Sequence, residues 1–188
     1  MSRRKWLTTC LGVFLLAVGS VLLMWQTGIF SPPRQVLLWE FTEKGVTTTV
    51  EARRSAFGRL ELLATFTPTR EHFHLYSKDL PRDGLNGLGR PTLLEVISSD
   101  GINSVGLLEA NQPTLDLYLE ILGLTFPVYP EGPVILQLPL EFTNNNHTAS
   151  LEISVTYMAC SDMTCLPPVV DKRFTVQLSN ETFQQLGK

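Results

Sequence analysis

From Ala149 to Met158 the chain alternates. Leu151, Ile153, Val155 and Tyr157 share one face, and Glu152, Ser154 and Thr156 share the other. A period of two puts the apolar side chains on one side of a pleated ribbon, so this segment predicts a half-buried β-strand. One such ribbon cannot bury itself, and the sequence supplies others to pair with it. Val46-Thr47-Thr48-Thr49-Val50 is β-branched throughout, and Arg59 to Phe66 partly alternates. Thr92 to Ile97, Val134 to Phe142 and Val169 to Leu178 have the same character. Turn signals separate them: Arg82-Asp83-Gly84, Asn86-Gly87 and Asn144-Asn145-Asn146-His147. Many short strands with frequent turns predict an all-β chain, an antiparallel β-sandwich. Leu115 to Leu124 is apolar and open between strand and loop. Pro127, Pro130 and Pro133 predict an irregular stretch before Val134. Ser179 to Leu186 is expected to close the chain with one or two helical turns.

The N-terminus has a different character. Arg3, Arg4 and Lys5 precede an uncharged run of 20 residues from Trp6 to Trp25. As a helix this run rises about 30 Å, the thickness of a bilayer core, with a tryptophan at each interface. The basic cluster holds the start in the cytoplasm and sends the rest across the membrane. The rival reading is a cleaved signal peptide ending near Ala17-Val18-Gly19. Residues 1–27 are therefore expected to be a transmembrane anchor or signal segment, 28–38 a Pro-containing linker, and 39–188 the sandwich domain. Both readings make the domain extracytoplasmic, membrane-anchored in the first case and secreted in the second. Removing the three N-terminal cations from the chain's 15 Lys+Arg leaves 12 against 18 Asp+Glu, a net charge of −6. That balance argues against nucleic-acid binding, which needs a basic face.

The chain has three cysteines. Cys10 falls in the apolar run. Cys160 and Cys165 lie at the end of the alternating strand, with four residues between them. If Ser161 to Thr164 form a hairpin loop, the two cysteines face each other about 5.5 Å apart at Cα, a separation that suits a disulfide. Closing so short a loop contributes only about 2 kcal/mol to stability. A disulfide beside a turn is also open to an attacking thiol. On the residues alone three readings stand: a redox-active pair, a structural staple, and a metal site. Cys160, Met163, Cys165 and a histidine would make a soft copper(I) site. Zinc is disfavoured, since the spacing is atypical and no second Cys/His pair lies nearby. His72 and His74 alternate on an expected strand, and His147 falls in a polar turn. No Ser/His/Asp set, phosphate-cradling glycine loop or supported carboxylate pair is present.

Thr156-Tyr157-Met158-Ala159-Cys160, followed by Cys165-Leu166-Pro167-Pro168, resembles the active-site segment of the N-terminal periplasmic domain of DsbD-type thiol:disulfide interchange proteins. His72-Phe73-His74-Leu75-Tyr76-Ser77-Lys78 is similar to the family's aromatic strand, and Val134 to Leu140 to the strand before its cysteine hairpin. The resemblance spans roughly residues 40–178, and its specific part is the cysteine segment. It implies an immunoglobulin-like sandwich whose cysteine pair, Cys160 and Cys165, relays electrons with no bound cofactor. The implied partners are thioredoxin-like proteins and a separate membrane electron donor on one side. On the other are client thiol oxidoreductases or cytochrome c maturation factors. Cys165 is the implied attacking thiol and Cys160 the resolving one. His74 and Tyr76 are expected to hydrogen-bond near the sulfurs if their strand abuts the hairpin, and otherwise only to pack. Asp162 either raises the thiol pKa as a nearby anion or simply forms the turn. The family covers its cysteines with a cap loop bearing an aromatic and acidic residues. The nearest counterpart here is Glu120-Ile121-Leu122-Gly123, which has no aromatic at the expected place, so that Tyr118 or Phe126 would have to serve instead. The alternative class is a membrane-anchored, non-enzymatic binding module with a structural disulfide, or a copper(I)-binding module.

Overall fold

The computed structural model describes residues 34–55, 58–142 and 148–187. The expected membrane segment, Cys10 and His147 lie outside them. Among the described residues no helix is long and apolar enough to cross a membrane.

The described chain is built almost wholly of antiparallel strands. β1 (Gln35–Glu43), β2 (Val46–Arg54) and β3 (Leu60–Pro68) form a meander. β1 begins inside the stretch expected as linker. Lys44 and Gly45 make the β1–β2 turn, both with positive φ (47° and 73°). That is the backbone of a two-residue hairpin loop whose twist matches its strands. β4 (His74–Leu75) is a short pair of residues, and a long loop then leads to β5 (Leu93–Asp100). β6 (Ile102–Val105), β7 (Glu109–Ala110), β8 (Leu115–Leu119) and β9 (Leu124–Val128) follow. β10 (Val134–Phe142), β11 (Ala149–Tyr157), β12 (Ala159–Cys160) and β13 (Val169–Leu178) complete the strands. The closing helix spans Asn180–Gln185 and is capped by Ser179, whose side chain accepts from the Thr182 N–H.

The larger sheet runs β1-β2-β3-β10-β6, with β7 also beside β10. The smaller runs β13-β11-β5. Their inward faces supply a single apolar cluster. Val50, Leu62, Phe66, Leu136 and Leu138 come from the first sheet, and Leu94, Leu151, Ile153, Val155 and Val176 from the second. Two antiparallel sheets enclosing one core are consistent with the expected β-sandwich. At one edge Trp39 of β1 stacks on Phe174 of β13 with ring centroids 3.4 Å apart. Below it the Tyr157 hydroxyl donates to the Glu43 carbonyl at 3.0 Å.

β11 departs from its expected pattern in its second half. Its alternation holds to Ile153, after which Ser154 and Thr156 are buried too. The Thr156 hydroxyl accepts from the Asp171 N–H at 3.0 Å. Arg82, from the loop after β4, bridges Glu95 of β5 and Asp171 of β13 on either side of β11. β11 is thus the central strand of its sheet.

Leu115 to Leu124, ambiguous in sequence, is the β8–β9 hairpin with its turn. β9 also contains Pro127, where irregular chain was expected. The proline is tolerated because only its carbonyl is needed there, accepting from the Ser77 N–H at 2.9 Å. His72 does not share a strand with His74. It sits in a turn at φ 61° and meets Glu131 at 3.3 Å.

Candidate functional site

The site begins where β11 runs out. The chain passes through Met158 into β12, whose Ala159 and Cys160 pair with Leu75 and His74 of β4. It then reverses through Ser161 to Thr164. The Ser161 N–H donates to the Thr164 carbonyl at 2.8 Å, and the Leu166 N–H to the Ala159 carbonyl at 2.9 Å. These bonds flank the facing pair Cys160 and Cys165. The cysteines therefore occupy a non-hydrogen-bonded position, where facing residues approach most closely. Their Cα atoms are 4.1 Å apart, nearer than the hydrogen-bonded spacing anticipated from sequence, and they form a disulfide. Inside the turn the Ser161 hydroxyl accepts from the Met163 and Thr164 N–H groups, both at 3.3 Å. The side-chain turn bonds thus come from Ser161, and Asp162 is left exposed beside them.

The two sulfurs have unlike surroundings. Cys160 is 1% exposed and belongs to a small second core with Tyr76, Leu80, Phe126 and Val128. Cys165 is exposed. The Tyr76 hydroxyl donates to Cys160 Sγ at 3.2 Å and lies 4.0 Å from Cys165 Sγ. Burial pushes the Tyr76 phenol above its ordinary pKa, so it remains a donor throughout the neutral range. Its position is fixed on two sides. Phe126 packs edge-on against its ring at 5.5 Å, and the Thr92 hydroxyl donates to its carbonyl at 2.7 Å.

A cleft of about 620 Å³ opens over the disulfide, between the cysteine hairpin and the tip of the β8–β9 hairpin. His74, Tyr76, Glu120, Asp162 and both cysteines all line it. These six residues, all singled out in the sequence, therefore converge on one place. Tyr118 stands on the cleft lip at 59% exposure, whereas Phe126 is fully buried beneath the site. Of the two aromatics, only Tyr118 is placed over the opening. Ile121 is fully exposed and Met163 92% exposed, which gives the cleft an apolar rim. Among the described residues no cluster of three or more His, Cys, Asp or Glu side chains is placed to hold a metal.

His74 is buried, and that holds its imidazole below its ordinary pKa. The carboxylates of Asp162 and Glu131 offset part of the shift. Thr92 and the apolar wall of Leu117 and Leu119 went unnoticed in the sequence. Their roles depend on contacts across the fold, and no local pattern marks them.

No family model matches this sequence. No curated protein matches it either. Eight chains of solved structures are similar to it, among them the following two. One is the N-terminal periplasmic domain of ScsB from Proteus mirabilis, at 12% identity and a TM-score of 0.46, with 78% of this chain covered. The chain spans about half of that structure, 51%. The other is the Neisseria meningitidis DsbD N-terminal domain in its reduced form, at 14% identity and a TM-score of 0.39. That match covers 73% of this chain and 93% of the other.

Proposed function

We propose that this chain is an extracytoplasmic thiol:disulfide exchange module, an immunoglobulin-like sandwich that relays electrons through Cys160 and Cys165. The observation that carries the reading is the asymmetry of the disulfide. One sulfur is open at a cleft. The other is buried, with a hydroxyl donor 3.2 Å away. Exchange needs a sulfur that can be attacked and a sulfur that can leave as thiolate. Cys165 meets the first need. Cys160, with the Tyr76 hydroxyl to stabilise its developing charge, meets the second.

In the loading half-reaction a thiolate of a reduced thioredoxin-like partner attacks Cys165 Sγ. The Cys160–Cys165 bond breaks and its electron pair goes to Cys160. The partner's second thiolate then attacks the partner's own sulfur in the mixed disulfide, which releases Cys165. In the unloading half-reaction the Cys165 thiolate attacks a client disulfide. Cys160 then resolves the mixed disulfide and reforms the bond. The client is reduced by two electrons and the cysteine pair is oxidised by two.

Residues 1–27 serve in this reading as the anchor or signal segment, and the linker runs from residue 28 to the start of β1 at Gln35. The electron donor is a separate membrane protein. The clients are thiol oxidoreductases or cytochrome c maturation factors.

The test is the reduction potential, measured by equilibration with a thiol buffer. An exchanging pair lies above the roughly −300 mV below which structural disulfides fall. A Cys160→Ala variant should in addition trap clients as mixed disulfides on Cys165. A potential well under that limit, together with no trapped species, would reject the proposal in favour of a structural staple.

A further inference from the structure

The site places three chemically active side chains in one row. His74 faces Cys160 across β4 and β12, and Cys160 faces Cys165 across the hairpin. Directly facing residues of antiparallel strands project to the same side, with Cβ atoms about 4.5–5.5 Å apart. All three line the same cleft. His74 is 7% exposed, and its Nε2 is buried with no hydrogen-bond partner among the described residues. Buried polar atoms are ordinarily satisfied, so one left open on a residue that faces Cys160 and lines the same cleft points to a partner that arrives during the reaction. The disulfide state offers that nitrogen no proton to accept from sulfur, whereas the dithiol state does.

We propose that His74 is the proton partner of Cys160 in thiol:disulfide exchange. The inference rests on the exchange reading above. When Cys160 resolves a mixed disulfide, its S–H proton passes to His74 Nε2. The thiolate attacks Cys165 Sγ, the bond from Cys165 to the client breaks, and the electron pair leaves on the client sulfur. In the loading direction the electron pair arrives on Cys160 Sγ as a thiolate, which draws a proton from water onto the neutral His74 ring and then takes it from Nε2. No further oxidant or reductant is needed.

The other titratable groups at the site are less suited to this task. Tyr76 is held protonated by burial and serves as a donor. Glu120 and Asp162 line the same cleft but are exposed, as is Tyr118 on the lip. Glu131 acts on His74 only through its charge. In the disulfide form burial favours the neutral ring, the form able to accept a proton. A thiolate at Cys160 adds an adjacent anion and draws the ring toward its charged form.

The test is an NMR pH titration of the imidazole signals in the full chain, oxidised and then fully reduced, with His74 assigned through His74→Gln. The expected result is a His74 midpoint below its ordinary value when oxidised. On reduction it should move upward by at least half a pH unit, and Cys160→Ser should abolish the movement. His74→Gln should also slow resolution of a preformed mixed disulfide on Cys165 about tenfold at neutral pH, with the oxidised fold unchanged. A ring that merely fills space would show the same midpoint in both redox states. That result, in a protein whose potential still marks an exchanging pair, overturns the inference alone. A wild-type potential in the range of structural disulfides overturns the exchange reading and this inference together.

Discussion

Tyr76 illustrates how much of the site rests on one hydroxyl. It is the donor seen at the buried sulfur, and hydrogen bonds to charged groups contribute roughly 1.5–3 kcal/mol. Tyr76→Phe keeps the ring against Phe126 and removes only that bond. It should slow attack on the disulfide by about tenfold or more, since 1.4 kcal/mol is a factor of ten. Stopped-flow reduction by a dithiol checks this, and an unchanged rate would show that the hydroxyl does not assist the leaving sulfur. His74 gives a second prediction at this scale. Its folded-state pKa is lowered, so the unfolded chain binds the extra proton first as pH falls. The oxidised protein should keep its full His74-linked stability above about pH 6.5 and lose it progressively as pH falls below that value. Denaturant midpoints for wild type and His74→Gln should therefore converge as pH is lowered. Parallel curves would contradict the linkage. Both residues were legible from the aromatic segment before the loop. What the sequence could not supply is which nitrogen and which hydroxyl lack or find partners.

The elements were legible to the degree that their environment is symmetric along the strand. Val134–Phe142 and Val169–Leu178 have the bounds that the pattern predicts, because each alternates or stays β-branched between clear turn signals. β1 went unnoticed because Pro32 and Pro33 just before it suggest a linker. Val36 and Leu38 on it are only partly buried at the sheet edge. The β8–β9 hairpin was ambiguous for a related reason. It stands away from the main core, so Leu115 remains exposed and no clean alternation develops. The β1–β2 turn bears on the site from a distance. A Cβ on Gly45 would run into Leu166 Cδ1, and Leu166 directly follows Cys165. Gly45 also holds φ 73°, a conformation that costs an L-residue about 1–2 kcal/mol. Gly45→Ala should lower stability by about that amount and displace Leu166. The measurements are the urea midpoint and the amide shifts of Cys165 and Leu166. No change in either would mean that the turn and the cysteine hairpin are independent.

At the scale of the whole molecule the decisive fact is that the disulfide lies outside the main core. The large cluster joins the two sheets through Phe66, Leu136, Leu151, Ile153 and Tyr157, and neither cysteine belongs to it. Cys160 packs instead in the small cluster under the cleft. Reduction therefore removes one cross-link between residues five apart and leaves the inter-sheet packing in place. Loop-closure arithmetic for so short a ring gives about 2 kcal/mol. For a domain of this size that amounts to roughly 4–8 °C in Tm. A redox carrier must be folded in both of its states, and this architecture meets that requirement by separating the disulfide from the packing that holds the fold. Thermal melts in the presence and absence of reductant should show a cooperative transition in both, offset by that interval. The near-ultraviolet circular dichroism of the Trp39–Phe174 stack should persist in the reduced protein. Loss of that signal, or a reduced chain with no cooperative transition, would identify the disulfide as a staple on which the fold depends, and would count against electron relay.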